Sequence, residues 1–484
     1  MLVACAWMNT TIGFWVQLQM VAALCWTWMP LAAPAADPLA RNERPVPSRS
    51  EGDSTVVKDW SPPAQEQQLS KKMRSAMSEA PRITVGQTKA DLLGTDNRAL
   101  QAAVDYVAGL GGGTVEIGPG DYLMRDSLHL RPLVIVRGTP GRTVLRKADG
   151  AESALAIDGD FGEEQLTVAD PKGFDVGCGV AIWSQRVNGF HITLARIIGR
   201  NGSTLALDHP LGADCTVSDG AKAATIFPVV SGYDLEGVRI EHLIIEGNRT
   251  HNSTLDGCRG GGIFLYRGFG TIIEHCTVRD YNGDGISFQQ SNDVLVNECV
   301  SENNAALGLH PGSGSQRATI SKCVARRNDA DGLFLCWRVR HGLFEDNLLE
   351  GNGRYGISIG HKDTDNLLRN NRVRSNAEDG ICFRDESLGM AGHRNRLEDN
   401  LIEDNGRGQA VAGIRIRGET RDIVLKNNRI RDTRPPEARR QNTGILLEEK
   451  VGPVRLEKNE IESAVPVRDL RPKPVQPPAG ASKP

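Results

Sequence analysis

The chain has 484 residues, 57 Lys and Arg against 60 Asp and Glu, and a net charge of −3. So balanced a charge, with no basic stripe, excludes an electrostatic nucleic-acid surface. With 53 glycines and only 5% aromatic residues, the composition argues for a coil of tight turns rather than a core of large interlocking side chains.

Residues 1–36 are apolar and end in small residues, Leu31-Ala-Ala-Pro-Ala-Ala, which predicts a signal peptide and export, although no Lys or Arg precedes Arg41. A membrane anchor is the alternative, but Asn9, Gln17 and Gln19 interrupt the stretch, so no stable span is expected after signal removal. Residues 37–82 are rich in Pro, Ser and charge and read as a disordered linker; 467–484 read as a disordered tail. Residues 83–150 read as an N-terminal cap with the first rungs of a coil. Thr95-Asp96-Asn97 is a helix start, and Ala99, Leu100, Ala103, Val104 and Val107 follow at helical spacing before Gly111-Gly-Gly. Across 151–230 the runs Gln165-Leu-Thr-Val, Gly179-Val-Ala-Ile-Trp and Thr204-Leu-Ala-Leu predict an inserted all-β subdomain or decorated early rungs.

Residues 231–466 carry a repeat. Gly262, Gly285, Gly308, Gly332, Gly356 and Gly380 each open a strand-like run, at spacings of 23, 23, 24, 24 and 24; Gly413 and Gly444 continue the series after longer steps. A fixed period in this range signals a solenoid whose equal-phase residues stack one rung apart, about 4.8 Å. A second phase holds Cys276, Cys299 and Cys323, then Asn347, Asn371, Asn400, Asn428 and Asn459; a third holds Asn304, Asn328, Asn352, Asn376 and Asn405. Stacked asparagines suit turns because they bond rung to rung and tolerate left-handed backbone. The shared cysteine phase predicts a stack of small buried thiols. Three short strands per repeat, with no room for a helix, predict an all-β right-handed parallel β-helix.

Asp96-Asn-Arg-Ala-Leu-Gln-Ala-Ala-Val-Asp, Gly111-Gly-Gly-Thr-Val-Glu-Ile-Gly-Pro-Gly-Asp-Tyr, the glycine rungs and the asparagine phases together resemble the pectate-lyase-like β-helix superfamily over roughly 83–465. The resemblance implies the fold and the N-terminal cap. It leaves the reaction open, because the superfamily includes lyases, hydrolases, epimerases and binding proteins. Leu309-His-Pro-Gly weakly resembles the Asp-Pro-His stretch of β-helix mannuronan epimerases, without its Asp. Asn282-Gly-Asp284-Gly resembles one polygalacturonase element, but the paired acid of the next rung is missing, so Asp284 reads as turn chemistry.

Counting from each glycine, positions plus-one and plus-three point into the coil, and plus-two and plus-four point out. The outward positions and the turns after them gather cations and an aromatic side chain on one face. His310, His361, Lys362, Arg338 and Arg384 are the catalytic candidates; Trp337, Tyr266, Arg267, Gln289, Asp385 and Glu386 are the substrate-binding ones. Guanidinium pairs carboxylate and Trp stacks on a sugar face, so the partner expected is an acidic polysaccharide. The expected function is a lyase or epimerase on uronate-containing chains, secreted, periplasmic or on the cell surface, and monomeric. A cation neutralises the carboxylate, a histidine takes the α-proton, and a second group protonates the leaving oxygen. A non-catalytic glycan-binding protein and a glycoside hydrolase are the alternatives. No metal site has a recognisable spacing; calcium would need Asp363, Asp385 and Glu386 to converge.

Overall fold

The computed structural model describes residues 79–472; the expected signal peptide, most of the linker and most of the tail lie outside the described residues. Each turn of the coil lays down three short strands. One turn holds Ile263–Tyr266, Ile272–Glu274 and Thr277–Arg279, and the next begins at Ile286–Gln289. Every strand pairs in parallel with its counterpart one turn on: Ile263 with Ile286, Ile272 with Leu295, Thr277 with Val300. Repetition builds three long sheets of 12, 13 and 11 strands, a right-handed parallel β-helix. The glycine runs form the 12-stranded sheet.

The interior is made of columns. Ile286, Leu309, Leu333, Ile357, Ile381, Ile414 and Ile445 succeed one another in register, each 1% exposed or less. The 13-stranded sheet contributes Ile240, Ile273, Val296, Ile320, Phe344, Leu368, Leu397 and Leu425, all fully buried. The glycine position sits where the chain turns against the previous sheet. A Cβ on Gly356 would lie 2.2 Å from Val373 and 2.8 Å from Asn376. At this phase the backbone N–H donates forward, from Gly285 to Leu307, Gly308 to Asp331 and Gly332 to Tyr355.

Two asparagine ladders run along the turns. Asn347, Asn371, Asn400, Asn428 and Asn459 are linked Nδ2 to Oδ1 at 2.9–3.0 Å. Asn304, Asn328, Asn352, Asn376 and Asn405 form the other at 2.9–3.0 Å, and Gln441 extends it at 2.8 Å. The longer side chain of Gln441 fills the slot after the longest step of this ladder. Each Oδ1 also accepts a backbone N–H from the preceding rung, as Asn371 does from Asn347 at 3.1 Å. Where the column holds cysteine, the free thiols of Cys276, Cys299 and Cys323 donate to backbone carbonyls at 3.3–3.7 Å.

Helix α1 (Asn97–Gly109) closes one end, with Asp96 accepting from the N–H of Arg98 and Leu100, Ala103, Val104 and Val107 buried beneath it. The coil begins with Arg82–Gly86, one residue inside the expected linker, and continues through Val465–Asp469, three residues into the expected tail. Pro466 stands at the glycine phase of that last strand. Between the early rungs, six strands from Glu152–Ala154 to Lys222–Ala224 form a separate antiparallel sheet around Leu155, Phe174, Val180 and Ile182. Asp126 ties it to the coil through Arg196 at 2.6 Å. Among the described residues no helix is long and apolar enough to cross a membrane.

Two outcomes are expected from these contacts. Asn371→Leu removes four ladder bonds from a fully enclosed turn and should cost about 3 kcal/mol, read as a lowered denaturant midpoint; an unchanged midpoint would show that the ladder adds nothing. Lys147 is 1% exposed, donates to the Ala148 carbonyl at 2.9 Å and lies 4.3 Å from the Phe227 ring. Burial lowers its pKa from 10.5 to about 7, so folding releases its proton between those values and the stability it contributes rises with pH across that window. Lys147→Met should therefore raise Tm most at pH 7 and below, with the gain shrinking as pH climbs towards 10.

Candidate active site

The outward face of the glycine-strand sheet is not an open surface. The long turn after Ile244–Glu246 folds back over it. The Gly257 carbonyl accepts from Ser287 Oγ at 2.8 Å and from Gln289 Nε2 at 3.4 Å. Gly257 passes so close to Asp284 that a Cβ there would lie 1.9 Å from Oδ2. Gln289 is consequently fully buried, which corrects its expected role in binding substrate. His310 is also enclosed, its side chain 6% exposed, rather than standing free in solvent.

Enclosure gives His310 a partner. Its Nδ1 lies 2.7 Å from Asp284 Oδ2, while Asp284 Oδ1 accepts the Leu307 N–H at 3.1 Å. Asp284 is thus not turn chemistry but half of a buried carboxylate–imidazole pair, which corrects the sequence reading. With the carboxylate fixing Nδ1–H, Nε2 is left as the basic nitrogen, and it has no hydrogen-bond partner among the described residues. The phase relation recurs: Asp379, also one residue before a glycine, pairs with Arg415 at 2.8 Å one turn on. This arithmetic, glycine-minus-one to the next plus-two, was the signal that sequence reasoning missed.

A contact chain leads away from His310. Its ring meets Phe334 edge-on at 5.4 Å, and Arg384 lies 4.5 Å over the same ring. Arg384 is committed inward. It donates to Ser358 Oγ at 2.8 Å, to the Leu335 carbonyl at 2.6 Å and to Asp363 at 3.2 Å. Its expected task of neutralising a substrate carboxylate is corrected accordingly. Asp363 is fully buried and also accepts the Val339 and Gly360 N–H groups; burial raises its pKa to about 7, against the pull of Arg384 and those bonds.

The turns hold a second group. His361 lies between Cys336 Sγ, 3.1 Å from Nδ1, and Glu386 Oε1, 2.7 Å from Nε2. Trp337 covers the imidazole at 4.9 Å. Glu386 is therefore engaged by the protein. Arg338 and Lys362 occupy left-handed positions on consecutive turns, and neither side chain has a hydrogen bond or ion pair among the described residues. Asp385 is exposed, 4.0 Å from Arg417. Tyr266 lies farther along the face, 6.2 Å from Tyr233 and 6.4 Å from Phe190 in the short helical turn Gly189–His191 of the inserted segment, with Arg267 over its ring and paired to Asp234. Of the eleven predicted residues, His310 and Arg384 share the Phe334 ring, His361, Trp337 and Glu386 form the turn group, and Tyr266 and Arg267 the platform; Gln289, Arg338, Lys362 and Asp385 join none of these through a side-chain contact among the described residues. Asp363, Asp385 and Glu386 each face a different partner, and among the described residues no three His, Cys, Asp or Glu side chains group as metal ligands.

Arg384→Met should cost about 3–5 kcal/mol by leaving Asp363 buried without its cation. Arg338→Ala, at an exposed and unpaired position, should leave Tm unchanged. Equal melting temperatures for both variants would place Arg384 on the surface after all.

No match is found among curated proteins. Solved structures do resemble the chain in fold. The A-module of the Azotobacter vinelandii mannuronan C-5 epimerase AlgE4 superposes with TM-score 0.53 at 17% identity, over 81% of this chain and 98% of that one. A polygalacturonase from Erwinia carotovora ssp. carotovora gives 0.50 at 12%, over 83% and 99%. The Dettilon tailspike protein gives 0.50 at 13%, over 78% and 62%. The family model of the right-handed beta helix region matches residues 213–337, 261–411 and 315–467. Those spans overlap to cover more than half of the sequence, from the first glycine rungs to the last: the chain belongs to the right-handed parallel β-helix family.

Proposed function

We propose that this is an exported, polysaccharide-active protein that works as a lyase or epimerase on uronate-containing chains. The observation that carries the reading is the Asp284–His310 pair on the outward face of the sheet, with Nε2 of the imidazole unengaged. A base oriented by a carboxylate is what removal of a sugar α-proton requires. Arg338 and Lys362 support it as unpaired cations on adjacent turns beside Trp337, where a guanidinium or ammonium meets a sugar carboxylate and makes the α-proton more acidic. Lys362 then serves as the acid for the leaving oxygen. The buried carboxylates weigh against a hydrolase. Asp331, Asp363 and Asp379 are 0–3% exposed and accept backbone N–H groups, so they do not form a pair flanking a substrate bond. That the structural neighbours include an epimerase named for mannuronan and a polygalacturonase agrees with a uronate-containing substrate.

Elimination leaves a conjugated double bond that absorbs in the ultraviolet, whereas epimerisation changes the proton spectrum of the polymer without new ends. Acidic polysaccharides should therefore be screened by absorbance and by NMR. His310→Ala should lower turnover by about 10²–10⁴-fold with little change in binding, because a base acts mainly in the transition state. Arg338→Ala should weaken binding and rate together. Reducing ends without absorbance would identify a hydrolase. Binding without either reaction would make the face a lectin-like surface, and full activity in His310→Ala would remove the base assignment.

A further inference from the structure

The plus-four column of the same sheet reads Gln289, Gly312, Cys336, Gly360 and Arg384, so Cys336 stands between two rungs that carry no side chain. Gln289 and Arg384 lean across those glycines. A Cβ on Gly312 would lie 2.2 Å from Gln289 Oε1, and one on Gly360 would lie 2.7 Å from Arg384 Nε. Both atoms are buried and lack a hydrogen-bond partner. An unmet acceptor and an unmet charged donor thus flank one half-buried thiol. Unsatisfied buried groups are costly; the Gly257 turn closes over Gln289, while the Arg384 Nε–H lies at the rung of Gly360 next to the thiol, where a ligand's oxygen would satisfy it.

The thiol is also the first member of a relay. Glu386 accepts at Nε2 of His361, which fixes the proton there and leaves Nδ1 as the basic nitrogen, 3.1 Å from Cys336 Sγ. Cysteine and glutamate sit at opposite edges of the ring, so the three groups form a line rather than a metal cage. His361 and Glu386 side chains are 26% and 17% exposed, which leaves the line open to solvent at the turn. Burial pushes the Cys336 thiol well above its usual range, with Arg384 the strongest opposing influence. The resting nucleophile is therefore a thiol that needs a base.

We propose that Cys336, His361 and Glu386 form an acyl-transfer site for small carboxylic esters, with Cys336 as nucleophile and the Arg384 Nε–H as donor to the oxyanion. His361 Nδ1 takes the thiol proton as Sγ bonds to the ester carbonyl carbon. The adduct collapses with cleavage of the carbon–oxygen bond, and the imidazolium returns the proton to the departing alcohol. Water attacks the resulting thioester, again losing a proton to His361. The carboxylic acid leaves and the proton returns to sulfur. Neither His310 nor Arg338 takes part, so this site stands or falls apart from the uronate chemistry.

The probe is p-nitrophenyl acetate with the full chain. Wild type should release nitrophenolate and, after acid quench, carry one acetyl group on the peptide containing Cys336. Cys336→Ala should lose the label. Glu386→Gln should slow acylation at least tenfold and move its pH profile downward, because a neutral amide no longer supports the imidazolium; a merely structural role would leave that profile in place. Acetyl on another cysteine, such as Cys258, or no label on folded wild type, overturns the proposal. So does an unshifted profile in Glu386→Gln. Since labelling of wild type reports alone, a variant that fails to fold does not blunt the test.

Discussion

Parallel register is the constraint on which everything else depends. Each strand must hydrogen-bond to the same strand one turn later, at about 4.8 Å, and cannot slip without turning its interior side chains outward. Ile263 pairs with Ile286 and Ile286 with Leu309 because only that alignment keeps the isoleucine and leucine columns dry. Turn length can vary; strand phase cannot. The longer steps to Gly413 and Gly444 place their extra residues in turns, as at Pro436–Ala438, and the sheets pass through unchanged.

Because the fold is a set of columns, most of it was legible from spacing alone. The glycine phase located the 12-stranded sheet, the asparagine phases located both ladders, and the Asp96 start with its helical periodicity located α1. Gln441 escaped because it occupies an asparagine slot after a turn of irregular length. The inserted sheet has no period, so the sequence showed strand-like runs there but not how the six strands pair.

The site was legible only in part, and the reason is physical. Phase states which side chains leave the interior; it does not state what lies above them. Gln289 and His310 leave the coil as expected and are both enclosed, Gln289 beneath the turn carrying Gly257, a stretch with no repeat to betray its path. Arg384 looked like a substrate cation because its inward partners, Ser358, Asp363 and the Leu335 carbonyl, belong to the two turns before its own. Conversely, the Asp284–His310 contact obeys a fixed offset between neighbouring rungs, and Asp379–Arg415 repeats it. Pairs, rather than single residues, carry the chemistry of a stacked coil.

The two ends of the coil are unlike. Helix α1 seals the first. At the other, Val465–Asp469 lies exposed along its outer edge, with Val465 at 41% and Val467 at 38%. In earlier rungs the glycine-phase N–H reaches forward to the next turn, and at the last strand that position is Pro466, which has no N–H to offer. A strand arriving from another copy of the chain would find its first contact withheld. Proline thus removes one of the hydrogen bonds by which a further strand would extend the sheet in register, a local brake written into the same rule that lets the coil grow turn by turn.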